Sequence, residues 1–226
     1  MNGKHILRDS ILWGAGLALM IAALYMVFVY VPTEKHTGIV QRIFYFHVPV
    51  AWVSFLAFFI TFIFSILYLW KQEMKWDTIA HASAEVGVIF TTLVLITGPI
   101  WAKPVWGVWW TWDARLTTSL VLWLIYIAYL LVRSFATEPA RGARFSAVIG
   151  IVGFIDVPIV FTTVNLWRTQ HPATIIFEGG LTTTMLMTLL VCIAAFTVLY
   201  VLLTVQSASL KSMEATVRHL KSMQAD

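Results

Sequence analysis

Six separate apolar runs, each 17 to 25 residues long, limit the folds open to this chain more than any other feature of its sequence. They lie at about residues 11–31, 48–70, 78–101, 116–132, 145–164 and 181–205. At 1.5 Å per residue, a helix of such length crosses a hydrocarbon core of about 30 Å. In lipid a helix satisfies its backbone hydrogen bonds within one segment, which an isolated extended strand cannot do. The expected fold is therefore all-α: a polytopic membrane protein of six transmembrane helices, with a tryptophan-rich outer loop. Residues 1–226 read as a single membrane domain ending in a tail, residues 206–226. Composition agrees, since 60% of the residues are hydrophobic and only 12% charged, well outside the range of ordinary soluble domains. The first run is longer than the apolar core of a secretory signal and reads as an uncleaved first helix.

Basic residues orient the spans. With the N-terminus inside, the inner segments hold Lys4, Arg8, Lys71, Lys75, Arg133, Arg141, Arg144, Lys211, Arg218 and Lys221, ten in all, against five outside: Lys35, Arg42, Lys103, Arg115 and Arg168. Both termini are then cytoplasmic, and parity puts the loops after spans one, three and five on the outer side. The net charge of +4 is spread along the loops, so nothing suggests a nucleic-acid surface, and the expected surroundings are membrane lipid. Cys192 is the lone cysteine and makes no disulfide framework. Neither a covalent c-type haem motif nor a phosphate-binding loop occurs, so any ATP-driven step belongs to a partner.

The third loop carries Trp106-Gly107-Val108-Trp109-Trp110-Thr111-Trp112-Asp113. Read as a helix, it puts Trp106, Trp109, Trp110 and Asp113 on one face, with Trp112 off it. Two readings of it stand. One is an aromatic belt at the bilayer surface, where tryptophan is enriched. The other is an aromatic shelf for a large, flat, mostly apolar ligand such as haem. The histidines favour the shelf. His47, before the second span, and His171, in the fifth loop, emerge on the same side as the tryptophans and could supply two axial imidazoles to one iron. His36 is the rival in the first loop and sits among polar residues farther from the membrane. Pro49 suits the first turn of the second span, where its missing amide donor matters little.

Arg115, Lys103, Arg168 and Arg42 are the outer cations available to carboxylates such as haem propionates. Asp113 can cap the fourth span, orient a histidine or pair with Arg115; a structural role is favoured. Asp156 lies in the middle of the fifth span, where a carboxyl is a functional candidate by default; the alternative is a neutral acid bonded to a neighbouring helix. Pro158 nearby interrupts the backbone ladder. His81 and Glu85, one turn apart at the inner start of the third span, can share a proton, touch a subunit or pair at the interface. Gly150 and Gly153 offer a smooth face for close helix packing. Leu210, Met213, Val217 and Leu220 space the tail as a short surface or partner-docking helix.

The run from Trp106 to Asp113, continued by Ala114, Arg115, Leu116 and Thr117, resembles the tryptophan-rich WWD signature of haem-handling proteins in bacterial cytochrome c biogenesis. Six spans and flanking histidines make the resemblance over nearly the whole chain one to the haem exporter protein C (CcmC) family. The resemblance implies that His47 and His171 are axial ligands, and that Trp106, Gly107, Trp109, Trp110, Trp112 and Asp113 form the haem-binding motif. It implies haem b, held non-covalently at the periplasmic face of the inner membrane and passed to a periplasmic haem chaperone, CcmE. It also implies assembly with the transporter subunits CcmA and CcmB and the small membrane protein CcmD. Such a protein binds and transfers haem; whether promoting covalent attachment to the chaperone counts as enzymatic stays open. The alternative is a haem permease with Asp156 on its path. An electron-transfer cytochrome b is disfavoured, because no span interior holds a histidine pair.

Overall fold

The computed structural model describes residues 3–167, 171 and 180–225, with side chains omitted at residues 3–8, 165, 219 and 225. Among the described residues the chain is helical without strands, and six helical stretches are long and apolar enough to cross a membrane. The protein is a multi-pass membrane protein. Its elements are α1 (Gly3–Tyr25), α2 (Phe44–Lys71), α3 (Met74–Trp106), α4 (Ala114–Phe135), α5 (Pro139–Gly153), α6 (Asp156–Leu166) and α7 (Thr183–Ala225). A π-helical turn, Met26–Tyr30, prolongs α1, and a 3-10 turn, Ile39–Ile43, leads into α2.

The antiparallel pair α2 and α3 forms the middle of the bundle. α7 lies across both and carries α1 on its far side, while α4, α5 and α6 pack on the other flank. Polar side chains tie the helices where water is absent. Ser54 donates to Thr91 at 2.6 Å, whose own hydroxyl goes to the Gly87 carbonyl at 2.7 Å. Trp123 Nε1 reaches Thr92 at 2.9 Å, and Tyr200 reaches Ser83 at 2.8 Å. Such contacts, with close packing, hold membrane helices together where lipid supplies no hydrophobic drive between them. Gly153 shows the close packing: a Cβ there would stand 2.5 Å from Ile125 Cγ2, so only glycine lets α5 meet α4 at this distance. Gly150 sits where α5 meets both α2 and α4, since a Cβ there would stand 3.2 Å from Ser65 Oγ and from Tyr129 Cε2.

Several elements differ in extent from expectation. α2 begins at Phe44, so His47 stands inside its first turn, and Pro49 is its sixth residue rather than part of an opening turn. α3 continues through Gly98-Pro99 to Trp106; a proline removes one amide donor without ending a helix whose neighbours hold it in place. The expected fifth span begins earlier, at Pro139 in the first helical turn, and is interrupted. α5 ends at Gly153 and α6 restarts at Asp156. Pro158 has no amide to give the Phe154 carbonyl, and Val157 closes a tight turn onto that oxygen instead at 3.1 Å. The sixth span does not stop before the tail: α7 runs on as one helix of 43 residues, about 64 Å long at 1.5 Å per residue.

Candidate functional site

The start of α2, the end of α3, the start of α4 and the end of α6 meet at one end of the bundle. Between them lies an open cleft with about 80 Å³ of enclosed space, smaller than a typical closed small-molecule site of roughly 300–1,000 Å³. His47, His171, Trp106, Trp110 and Arg115 all face it. It reaches down the bundle past Ala51 and Phe55 of α2, Ser119 of α4 and Val160 of α6. Its lining is mostly apolar, with His47, His171, Arg115 and Ser119 as polar side chains beside the indoles, a mixture that suits an amphipathic ligand.

His47 is 8% exposed, and its ring is held from two sides. Its Nδ1 lies 2.8 Å from the Thr97 hydroxyl. Trp101 tilts against it with ring centroids 5.9 Å apart. Gly98 gives it room, because a Cβ there would touch His47 Cε1 at 3.4 Å. His171 is half-buried and lines the same cleft.

The tryptophan stretch is not a helix. Gly107 takes the left-handed conformation, φ +78°, and ends α3 with its amide on the Lys103 carbonyl at 3.0 Å; only glycine adopts that backbone without strain. Residues 108–113 then run as irregular chain to α4. The shared face expected for Trp106, Trp109, Trp110 and Asp113 is therefore absent. Trp106, on the last turn of α3, and Trp110, brought back by the turn, face the cleft. Trp109 and Trp112 are 57% and 76% exposed, with Trp112 edge-on to Trp110 at 5.7 Å. Asp113 caps α4: its carboxylate accepts from the Leu116 amide and the Thr111 hydroxyl, both at 3.0 Å.

The cations separate in the same way. Arg115 lines the cleft, and no hydrogen bond of its guanidinium occurs among the described residues. Lys103 spends its ammonium on the Gly107 carbonyl at 2.9 Å, and Arg42 lies over the Phe28 ring at 5.8 Å; neither lines the cleft. Arg168 lies outside the described residues. His36 is exposed, and its amide is held with that of Thr37 by the Glu34 carboxylate, at 2.8 and 2.6 Å. Those bonds, the Thr37 amide foremost, hold the Glu34 carboxyl below the ordinary carboxylate range. Asp156, in the first turn of α6, has one buried oxygen without a partner among the described residues, but it does not line the cleft.

Sequence reasoning missed two residues here. Trp101 lines the cleft, and its indole N–H, like that of Trp110, is buried with no acceptor among the described residues. Its place at the outer end of the expected third span, five residues before Trp106, was a usable signal. Thr97 had none, because its partner is 50 positions away.

At the opposite end the charged groups find one another. Arg133 grips the buried Asp77 with both guanidinium nitrogens, one at 2.6 Å. Glu85 accepts from Lys211 at 2.7 Å and Ser207 at 3.0 Å and lies 3.2 Å from His81. The His81 and Glu85 pair thus fastens the start of α3 to α7.

A model of the heme exporter protein C family matches residues 5–223. The heme exporter protein C of Bradyrhizobium diazoefficiens is 37% identical over 198 residues, covering 86% of this chain and 75% of its own. That of Escherichia coli K12 is 31% identical over 167 residues, 74% of this chain and 62% of its own. A ccmC-like mitochondrial protein of cytochrome c biosynthesis from Marchantia polymorpha is 34% identical over 171 residues, 76% of this chain and 72% of its own.

Proposed function

The chain belongs to the heme exporter protein C family, and on that premise we propose that it holds haem b at the periplasmic face of the bacterial inner membrane, between His47 and His171, and hands it to the chaperone CcmE. A role in haem handling for cytochrome c biogenesis follows from membership itself. The finer reading rests on one observation: a single cleft is lined by both histidines, two tryptophans of the signature and an arginine, Arg115.

The residues suit that cargo. His47 has one ring nitrogen committed to Thr97, which leaves the other for iron. Trp106 and Trp110 offer indole surface to a flat π system. The N–H groups of Trp101 and Trp110, without an acceptor among the described residues, and the Arg115 guanidinium are donors that propionate carboxylates would satisfy. The exposed rings of Trp109 and Trp112 are free to cover haem or meet the chaperone. Holding the macrocycle in one orientation brings a vinyl edge within reach of the chaperone's histidine, which lowers the barrier by proximity. Both termini are cytoplasmic in this reading, and ATP-driven release of the loaded chaperone falls to CcmA and CcmB, assembled with CcmD. The placement of Asp156 away from the cleft favours a docking platform over a permease.

The test is the absorption spectrum of protein purified in detergent after co-expression with the chaperone, beside His47→Ala and His171→Ala at matched membrane levels. A low-spin, bis-histidine spectrum in the wild type, lost or altered in both variants, is the expected result. Retention of the wild-type spectrum by both removes the axial assignment.

A further inference from the structure

We infer that Thr97 is a positioning residue that locks His47 in the Nδ1-protonated tautomer, leaving the Nε2 lone pair to bind iron; this rests on the ligand reading of His47. The argument is one of counting protons. A threonine hydroxyl has one hydrogen to donate and lone pairs to accept with. Thr97 Oγ1 lies 2.7 Å from the Leu93 carbonyl, one turn back on α3, and 2.8 Å from His47 Nδ1. A carbonyl oxygen can only accept, so the hydroxyl proton goes to Leu93. The contact with His47 then requires the ring to donate, which puts the imidazole proton on Nδ1. A neutral imidazole carries one such proton, so Nε2 is bare.

The surroundings make this a built arrangement. Gly98, next to Thr97, leaves space at His47 Cε1, and Trp101, one turn further along α3, supports the ring. One stretch of α3 thus sets the tautomer, clears the space and fixes the tilt. Histidines that bind metals generally have their second nitrogen engaged in this way, and loss of the outer partner weakens metal affinity about 10–100-fold.

The experiment uses full-length protein in nanodiscs, labelled with 15N-histidine and free of haem, with His47→Ala to assign the His47 nitrogens. The wild type is expected to show a protonated Nδ1 and a bare Nε2; a protonated Nε2 overturns the inference without recourse to any variant. Thr97→Ser keeps the hydroxyl and is expected to keep the tautomer. Thr97→Val keeps the shape but not the hydroxyl, and its spectrum should lose the fixed Nδ1 proton. Haem titration of the same samples should leave Thr97→Ser near wild type and weaken Thr97→Val by about 10–100-fold. A Thr97→Val protein that keeps the tautomer, or loses it and still binds haem as wild type does, overturns the positioning role. Undiminished haem affinity in His47→Ala sinks the ligand reading itself, whatever the nitrogen spectrum shows, and the positioning role falls with it.

Discussion

The two ends of the bundle use the same kinds of residue to opposite effect. At the end where α2 turns into α3, Asp77 meets Arg133 and Glu85 meets Lys211, Ser207 and His81. At the other end the Arg115 guanidinium makes no hydrogen bond among the described residues and has Asp113 as a nearby charge, the buried indole nitrogens of Trp101 and Trp110 have no partner among those residues, and two tryptophans stand exposed. Buried polar groups in a folded protein are normally satisfied. The contrast lies in the charged groups, because Trp76 Nε1 and Tyr129 Oη at the first end are also buried without a partner among the described residues; charges that pair with one another fasten helices, whereas a cation facing a cleft is available to a ligand.

Substitutions can break or sharpen that contrast. The largest effect is expected from Arg133→Ala, which strands the Asp77 carboxylate at 2% exposure; removing one partner of a buried pair costs about 3–5 kcal/mol of stability. Unfolding in detergent should show that loss while the surviving folded protein binds haem normally. A fall in haem affinity beyond the folded fraction would mean that the ends are not separate. Arg115→Ala should do the reverse: unchanged unfolding, with haem affinity lower by roughly tenfold or more, as expected for a charge-assisted hydrogen bond to a carboxylate. Loss of stability with unchanged affinity would make Arg115 an anchor at the head of α4. The smallest effect belongs to Glu85→Gln. Glu85 and Lys211 are 34% and 21% exposed, so their bond contributes only about 0–1 kcal/mol. Its readout is faster proteolysis of the C-terminal part of α7, and an unchanged cleavage rate would remove Glu85 as the fastener.

How much was legible beforehand follows from how far each signal reaches along the chain. The spans show in sequence because a run of apolar residues is a local property. The shared side of His47, His171 and the tryptophans followed from counting crossings, which needs no knowledge of packing. A structural place for Asp113 at the head of α4 was legible too, though capping was only one of the roles open to it. The reading of residues 106–113 as a helix failed at Gly107, whose positive φ is a choice that glycine permits but does not announce. The break between α5 and α6 had a visible cause in Pro158, yet Pro49 and Pro99 sit inside unbroken helices. A proline marks where a helix can yield, and the neighbours decide whether it does.

The order of amino acids alone marks a helical membrane protein with six apolar runs long enough to cross, and puts His47, His171 and the tryptophan stretch in loops of one parity. These are consequences of hydropathy and of chain connectivity, both read one segment at a time. Only the tertiary structure decided that Trp106 and Trp110 face inward while Trp109 and Trp112 do not, that Arg115 rather than Lys103 or Arg42 lines the cleft, and that Thr97 stands under His47. Those choices depend on which side of one helix meets another, and residues 50 positions apart carry no mark of each other until the helices pack.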